Sequence, residues 1–272
     1  MDAFQAIVLG VVQGLTEFLP ISSTAHLRIV PAFCGWDDPG AAFTAVVQLG
    51  TMTAVLIYFR ADLWRIATTW WASLRRRPEL RGELDARMGW YIGLGTIPIA
   101  ILGFLFRDQI ESGGRDLYVI GAALIAAGLV LLYAERIAAR ARRLEQIASA
   151  DATFIGVAQA AALVPGVSRS GATISAGLFR GFDRESAARY SFLLSVPAVV
   201  LSGLFEARKI GGDGGAAAVP TLIATLLAFI VGYASIAWLL RWLVSHSTGV
   251  FVAYRVGLGA LVLLLTTAGA IS

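Results

Sequence analysis

A polar string near the amino terminus stands out because apolar stretches flank it on both sides. Residues 13–26, here called the first tip, read Gln-Gly-Leu-Thr-Glu-Phe-Leu-Pro-Ile-Ser-Ser-Thr-Ala-His. Glu17, Ser23 and His26 bring a carboxylate, a hydroxyl and an imidazole into one short segment. Such groups act as base, nucleophile and acid in group transfer. Ionisable groups at membrane depth are costly, and they usually mark a reactive site or a pathway.

A second polar string lies about 145 residues later in a similar apolar setting. Residues 165–173, here called the second tip, read Pro-Gly-Val-Ser-Arg-Ser-Gly-Ala-Thr. A helix that breaks at the proline and restarts near Ser170 leaves backbone N–H groups pointing into the gap, which favours an anion. Arg169 adds a planar fork that matches phosphate oxygens. Together the two tips predict one buried polar site suited to phosphoryl transfer.

Composition places the chain in a membrane. Of its 272 residues 57% are hydrophobic and only 15% are charged, against about 25% charged in soluble domains. The net charge of +4 is typical of arginine-rich cytoplasmic loops. No nucleic-acid partner is expected, because no basic stretch is interleaved with aromatic residues. Cys34 is the single cysteine, so an internal disulfide and a thiolate metal cluster are excluded.

The pattern of apolar segments predicts an all-α polytopic membrane protein with six transmembrane helices plus two re-entrant helical hairpins. Residues 4–33 and 153–180 each break at a proline among hydroxyl residues, and such breaks are tolerated at membrane depth only where protein or water satisfies the freed backbone. Six other segments are long enough to span about 30 Å of hydrocarbon, and they are residues 41–59, 88–106, 117–135, 186–205, 220–240 and 250–271.

The basic residues orient this topology. Fifteen of the 22 lysines and arginines fall on one side, in residues 60–87, 136–143, 180–189 and 241–249. That side is predicted to be cytoplasmic. Five fall on the other side, and they are Arg28, Arg107, Arg115, Arg208 and Lys209. Arg255 lies one turn into the last span, where its side chain can snorkel toward the cytoplasm, and the sequence assigns it no role.

An internal repeat follows from similarity between the two halves. Residues 10–13 (Gly-Val-Val-Gln) are similar to residues 156–159 (Gly-Val-Ala-Gln), and a proline and a serine-rich turn follow each. We predict a single membrane domain, 1–272, whose first repeat is 1–140 (hairpin 4–33 plus three spans) and whose second is 150–272 (hairpin 153–180 plus three spans). Three crossings is an odd number, so the second repeat is inverted and the site lies near the midplane.

Structural explanations of the same residues stay open. Each serine of the tips could be a helix N-cap. Arg169 could be a buried cation paired with Glu17, and His26 could be a core histidine with satisfied hydrogen bonds. Gln13 and Gln159 are expected to bond backbone groups that the breaks set free.

Both tips resemble the signature motifs of the undecaprenyl-diphosphate phosphatases of the bacitracin-resistance type, and spacing, hydropathy and length match along essentially the whole chain. The resemblance implies removal of the terminal phosphate from undecaprenyl diphosphate, which recycles the lipid carrier for peptidoglycan synthesis and confers bacitracin resistance. It also implies a multi-pass protein of the bacterial inner membrane with a site facing the periplasm, an inverted-repeat fold, a homodimer and dependence on a divalent cation.

One position departs from the commonest form of the family's first motif. Gln13 stands where the family often has glutamate, although the pattern admits either residue. Glu17 is then the only carboxylate of the first tip. A Mg²⁺ or Ca²⁺ ion is therefore expected to be held by Glu17, the substrate phosphates and water.

With that substrate, the tail lies in the bilayer and the head between the tips. Ser23 is the predicted nucleophile, Glu17 or His26 accepts its proton, His26 protonates the leaving oxygen, and Arg169 holds the phosphates. Direct attack by His26, or by a water molecule activated by Glu17, stays open, and so does a lipid-phosphate flippase. The predicted substrate ligands are the other polar groups of the tips: Gln13, Ser22, Thr24, Ser168, Ser170, Gly171 and Thr173.

The predicted orientation can be tested by labelling in a Cys34→Ser background. A cysteine at Gly212 should react with an impermeant thiol reagent added outside intact cells, whereas a cysteine at Ala141 should not. Labelling in the opposite order would overturn the orientation.

Overall fold

A computed structural model describes residues 1–75, 77–106, 109, 116–207 and 218–271, and the regular structure in these ranges is helical, without a strand. Gly212 and four of the outward basic residues (Arg107, Arg115, Arg208 and Lys209) lie outside them. Eleven α-helices are described, and they are α1 (Ala3–Phe18), α2 (Ser23–Cys34), α3 (Gly40–Tyr58), α4 (Arg60–Arg75), α5 (Leu84–Leu105), α6 (Leu117–Ile137), α7 (Ser149–Ala160), α8 (Arg169–Phe179), α9 (Arg184–Ala207), α10 (Ala218–Ser245) and α11 (Gly249–Thr267).

The long apolar helices make this a multi-pass membrane protein. Among the described residues, α5, α6, α10 and α11 are each long and apolar enough to cross a bilayer. The pair α3 and α4 makes a fifth candidate when it is counted as one span bent by 71°. The all-helical class is therefore confirmed. The division into six crossings and two re-entrant hairpins stays a prediction, since α9 is not among these candidates.

The segment 60–87, which the sequence predicts as a loop, contains a helix. α4 runs over 16 residues, and a short 3-10 turn, Pro78–Gly82, links it to α5. Charged residues interrupt the apolar pattern of α4, so it does not resemble a span. Its exposed side includes Trp64, which is 74% exposed, while Trp70 packs edge-on against Trp90 of α5 at 5.5 Å between ring centroids.

Two pairs of short helices fold back on themselves. The outer ends of α1 and α2 meet where the Phe4 and Trp36 rings contact edge-on at 6.2 Å. The outer ends of α7 and α8 meet where Arg180 Nε pairs with Asp151 Oδ1 at 2.6 Å. Each pair is thus a helical hairpin with its break at the inner end, and the breaks carry the two tips.

Ion pairs join the connecting segments at one end of the bundle. Arg189 pairs with Asp62 at 2.6 Å, and Arg184 pairs with Glu135. The Thr248 hydroxyl donates to the same Glu135 carboxylate at 2.9 Å. These contacts connect the four segments that the topology assigns to one side of the membrane, so those segments do lie at the same end.

Glycines let each hairpin lie close against a long helix. A Cβ added to Gly10 would lie 2.5 Å from the carbonyl oxygen of Ala224 in α10, and one added to Gly156 would overlap the backbone of Gly95 in α5. Small residues allow such close approach between membrane helices. α1 therefore packs on α10 and α7 on α5, each hairpin against a helix from the other half of the chain.

We expect Asp151→Asn to destabilise the protein in a pH-dependent way. Burial raises the pKa of Asp151, but hydrogen bonds from Arg142 and Arg180 outweigh burial and lower that pKa from 3.8 to about 2. A lowered folded-state pKa stabilises above the unfolded value, and this stability is lost as the pH falls from about 4 to 2. The substitution should cost roughly 1–3 kcal/mol at neutral pH.

Thermal unfolding of purified protein checks this expectation. The unfolding temperature of Asp151→Asn should lie below that of the parent at pH 7 and approach it as the pH falls toward 2. Glu145→Gln is the control, because Glu145 is exposed in the same segment. An unfolding temperature equal to the parent's at pH 7 would contradict a stabilising role for Asp151.

Candidate active site

The two tips meet inside the bundle. Arg169 Nη2 of the second tip donates to Glu17 Oε1 of the first at 2.8 Å, and the Ser170 hydroxyl donates to the Leu19 carbonyl at 2.9 Å. Only 15% of the Arg169 side chain and 7% of the Glu17 side chain are exposed. Two strings that are far apart in sequence therefore form one polar cluster. The ion pair that a structural explanation of Arg169 requires is present, and it links the tips.

Arg255 of α11 holds the broken backbone of both tips. It is completely buried, and its Nη1 donates to the Pro20 carbonyl at 3.0 Å. Its Nη2 donates to the carbonyls of Gly166 and Val167 at 2.9 and 2.8 Å, and its Nε donates to Leu124 at 3.3 Å. Because a broken helix leaves carbonyls without partners, a guanidinium with several donors can satisfy both breaks at once. The Arg255 side chain is therefore directed to the tips and does not snorkel toward the cytoplasm.

Glu17 is the centre of the side-chain network. Its Oε2 accepts from the Ser23 hydroxyl at 2.5 Å and from Gln13 Nε2 at 3.1 Å, while Oε1 faces Arg169. Ser23 and Glu17 stand on opposite sides of the helix break, six residues apart. The short contact puts a carboxylate where it can take the proton of the hydroxyl.

His26 is engaged at both ring nitrogens and makes no hydrogen bond to Ser23 among the described contacts. Nδ1 lies 2.7 Å from the Ser22 carbonyl and Nε2 lies 2.7 Å from the Tyr254 hydroxyl. A carbonyl can only accept, so Nδ1 carries the proton, and in the neutral ring Nε2 accepts from the tyrosine. The sequence pattern does not point to Tyr254. The available signal was a pair of polar residues, Tyr254 and Arg255, within an otherwise apolar span.

The two restarting helices begin in the same unusual way. Ser22 precedes α2 with a φ of 73°, and Ser168 precedes α8 with a φ of 72°. Residues other than glycine seldom adopt positive φ, and such strain concentrates at functional sites. The Ser168 hydroxyl accepts from the Gly171 N–H at 3.1 Å, as an N-cap does, whereas Ser22 makes no such bond to α2.

The other predicted ligands take varied positions. The Ser22 and Thr24 hydroxyls lie 3.2 Å apart, and Thr24 is exposed. The Ser168 and Ser170 hydroxyls lie 3.1 Å apart at the second tip. Thr173 is fully buried, and its hydroxyl contacts the Arg169 carbonyl at 2.8 Å and Ser191 of α9 at 2.6 Å. The hydroxyl of Thr173 therefore faces a neighbouring helix.

The two glutamines do not bond the backbone of the breaks, so that expectation is wrong. Gln13 Nε2 donates to Glu17, and Gln159 Nε2 donates to the Gly95 carbonyl of α5 at 3.3 Å. Arg255 already occupies break carbonyls of both tips. The carbonyl oxygen of each glutamine is buried, and neither has a hydrogen-bond partner within the described part of the chain.

The donor set near Glu17 fits a cation only in part. Within the described ranges, no group of three or more histidine, cysteine, aspartate or glutamate residues could hold a metal. Gln13 nevertheless offers an unpartnered amide oxygen beside the Glu17 carboxylate. Oxygen donors of this kind suit Mg²⁺ or Ca²⁺ when phosphate and water supply the remaining ligands. These residues therefore fit a cation that arrives with a phosphorylated ligand.

Known proteins are similar to this chain over its whole length. The family described as "Bacitracin resistance protein BacA" matches residues 6–261. A protein of Nocardioides sp. named "Undecaprenyl-diphosphatase" is 55% identical, covering 100% of this chain and 99% of its own length. "Undecaprenyl-diphosphatase 2" of Frankia casuarinae is 54% identical (100% and 97%), and "Undecaprenyl-diphosphatase" of Thermobifida fusca is 51% identical (100% and 93%). The chain thus belongs to the bacitracin resistance protein BacA family.

Proposed function

We propose that this protein is an integral-membrane phosphatase that converts undecaprenyl diphosphate to undecaprenyl phosphate and inorganic phosphate. The observation that carries the proposal is the 2.5 Å contact between the Ser23 hydroxyl and Glu17 Oε2, directly across from Arg169. Nucleophile, base and cation are then in one cluster. Family membership and the names of the relatives support the same activity, which recycles the lipid carrier and confers bacitracin resistance.

The substrate head lies between the tips and its tail in the bilayer. Helices α2 and α8 begin at the tips, and their N-termini favour the negative charge of the diphosphate. Arg169 uses Nη2 on Glu17, while its Nε and Nη1 make no hydrogen bond to any described residue and are available to phosphate oxygens. The remaining proposed ligands are the polar groups of both tips, namely Gln13, Ser22, Thr24, Ser168, Ser170 and the Gly171 N–H. The Thr173 hydroxyl, which the sequence also suggests, is directed to Ser191 of α9 instead.

The reaction proceeds in two steps. Ser23 Oγ attacks the terminal phosphorus, its proton passes to Glu17, and the bond from phosphorus to the bridging oxygen breaks, with His26 as the proposed proton donor to that oxygen. A water molecule then cleaves the phosphoserine and gives a proton to His26, while Glu17 returns its proton to Ser23 Oγ, so both groups regain their starting state. Direct attack by His26 is disfavoured, because Nδ1 faces a carbonyl and Nε2 faces a tyrosine hydroxyl.

A divalent cation, Mg²⁺ or Ca²⁺, is part of this proposal. Glu17 and the amide oxygen of Gln13 would hold it together with the substrate phosphates and water. When bound, it neutralises phosphate charge.

The membrane placement also belongs to the proposal. The six long helices α3, α5, α6, α9, α10 and α11 cross the inner membrane, the two hairpins are re-entrant, and the site faces the periplasm. The ion-paired end, where most described arginines cluster, is then cytoplasmic. A homodimer follows from the family resemblance alone.

An inverted repeat, 1–140 and 150–272, has support in the spacing of equivalent residues. Gln13 and Gln159 are separated by the same 146 residues as Ser22 and Ser168. The two serines share a positive φ, and each hairpin packs on a helix of the other half. Two halves related by a pseudo-two-fold axis in the membrane plane explain these equivalences.

A flippase is the rival function, and the site favours it less. A carrier has use for Arg169 as an anion ligand, but it has none for a serine hydroxyl held against a carboxylate. The two functions can be told apart, because phosphate release can be measured in detergent, whereas transport can be measured only in sealed vesicles.

Phosphate release by purified protein in detergent tests the proposal. The parent should release inorganic phosphate from a polyprenyl diphosphate, and Ser23→Ala should lose nearly all activity because no other hydroxyl contacts Glu17 among the described residues. His26→Ala should fall by about 10²–10⁴-fold, the usual worth of acid–base help. Ser245→Ala, at the exposed end of α10, is the control.

Rapid quenching identifies the attacking group. An acid-stable phosphoserine in the parent, absent from Ser23→Ala, is expected. An acid-labile phosphohistidine, or high activity in Ser23→Ala, would refute the role of Ser23. Absence of phosphate release from the parent would refute the phosphatase itself.

A further inference from the structure

Tyr254 is a polar residue of α11 that has no role in the reaction proposed above. Its hydroxyl lies 2.7 Å from His26 Nε2, although the two residues are 228 positions apart in sequence. Tyr254 is 46% exposed, whereas His26 is only 5% exposed. A half-exposed tyrosine hydroxyl therefore contacts Nε2 of a buried imidazole.

The position of this hydroxyl is fixed by its neighbour in sequence. Arg255 donates hydrogen bonds to carbonyls of α6 and of both tips, so this turn of α11 is tied to the same breaks that carry Ser22 and His26. The contact between Tyr254 and His26 is thus built on an anchored backbone. A hydroxyl placed in this way can orient a ring without a large entropic cost.

The hydrogen bonds of His26 fix which nitrogen carries the proton. The Ser22 carbonyl requires a donor at Nδ1, and the Tyr254 hydroxyl supplies a donor to the lone pair at Nε2. Without that hydroxyl, Nε2 would be a buried acceptor with no other described partner, and such groups are costly. The tyrosine thereby favours a single tautomer and a single ring orientation.

We propose that Tyr254 is a positioning residue for the phosphatase reaction and that it acts through His26. It holds the imidazole with its proton on Nδ1 and with Nε2 directed to the tyrosine hydroxyl, so that any proton exchanged at Nε2 passes beside this hydroxyl. This inference rests on the proposed function. It assigns the purpose of a half-exposed tyrosine next to the buried arginine.

A double-mutant cycle on the full-length protein tests the inference. Tyr254→Phe keeps the ring and removes the hydroxyl, and loss of one neutral hydrogen bond should lower kcat about five- to tenfold. KM should change less than about twofold. In a His26→Ala background the same substitution should have no further effect, because coupled residues are not additive. Tyr118→Phe, at a tyrosine 50% exposed on α6, is the control.

Nitrogen NMR of ¹⁵N-histidine-labelled protein gives an independent readout. The chain has two histidines, so a His246→Gln variant assigns both sets of signals. The parent should show His26 protonated at Nδ1. Tyr254→Phe should keep this tautomer, because the Ser22 carbonyl still requires a donor, but its Nε2 signal should shift, because Nε2 loses its hydrogen-bond donor. An unchanged Nε2 signal would contradict the contact.

Equal losses of kcat in the parent and His26→Ala backgrounds would overturn the inference, and so would a parent His26 protonated at Nε2. If the parent releases no phosphate, the proposed function fails. The NMR experiment then still decides whether Tyr254 fixes His26.

Discussion

The buried guanidinium of Arg255 is the constraint on which the rest of the site depends. A charge without contact to water is costly unless hydrogen bonds surround it. Here the partners are carbonyls from three places: α6, the first tip and the second tip. Gly171 leaves room for the group, since a Cβ there would lie 2.6 Å from Nη1. Separating the tips would leave the guanidinium charge and the tip carbonyls without their hydrogen-bond partners.

This arrangement joins two helix breaks into one polar cluster. Each break leaves backbone groups without partners, which is costly wherever water is excluded. With the carbonyls held by Arg255, the positive ends of α2 and α8 remain for an anion, and the strained Ser22 and Ser168 stay in place. The ion pair between Glu17 and Arg169 then joins the side chains across the same gap. Within this cluster Arg255 therefore supports the backbone of the tips, whereas Glu17 and Arg169 join their side chains.

The sequence predicts those features that depend on local composition. Hydropathy predicts the helical class, and the proline breaks among hydroxyl residues predict where α2 and α8 begin. The residue types of the two tips predict phosphoryl chemistry. The distribution of arginines correctly groups four connecting segments at one end, because positive charge is excluded from the lipid in a regular way.

Other features escape the sequence because they depend on contacts between distant residues. Arg255 looks like a snorkelling residue until the breaks are placed beside it. Tyr254 becomes important only through a histidine 228 positions away. Gln13 and Gln159 are expected from the sequence to bond backbone groups that the breaks set free, whereas Arg255 bonds the freed carbonyls. The sequence predicts a loop where α4 lies for a different reason, because the charged residues of α4 interrupt the apolar pattern typical of a helix that packs on another helix.

Whether Arg255 holds the two tips together can be measured as the distance between the tips in an Arg255→Lys variant. Spin labels at Thr24→Cys and Val164→Cys, two exposed positions beside the breaks, report it in a Cys34→Ser background. Lysine keeps the charge but lacks the fork that reaches both tips. We expect a narrow distance distribution in the parent and in the exposed control Arg241→Lys, and a broad one in Arg255→Lys. The same narrow distribution in Arg255→Lys would contradict the claim that this residue holds the tips together.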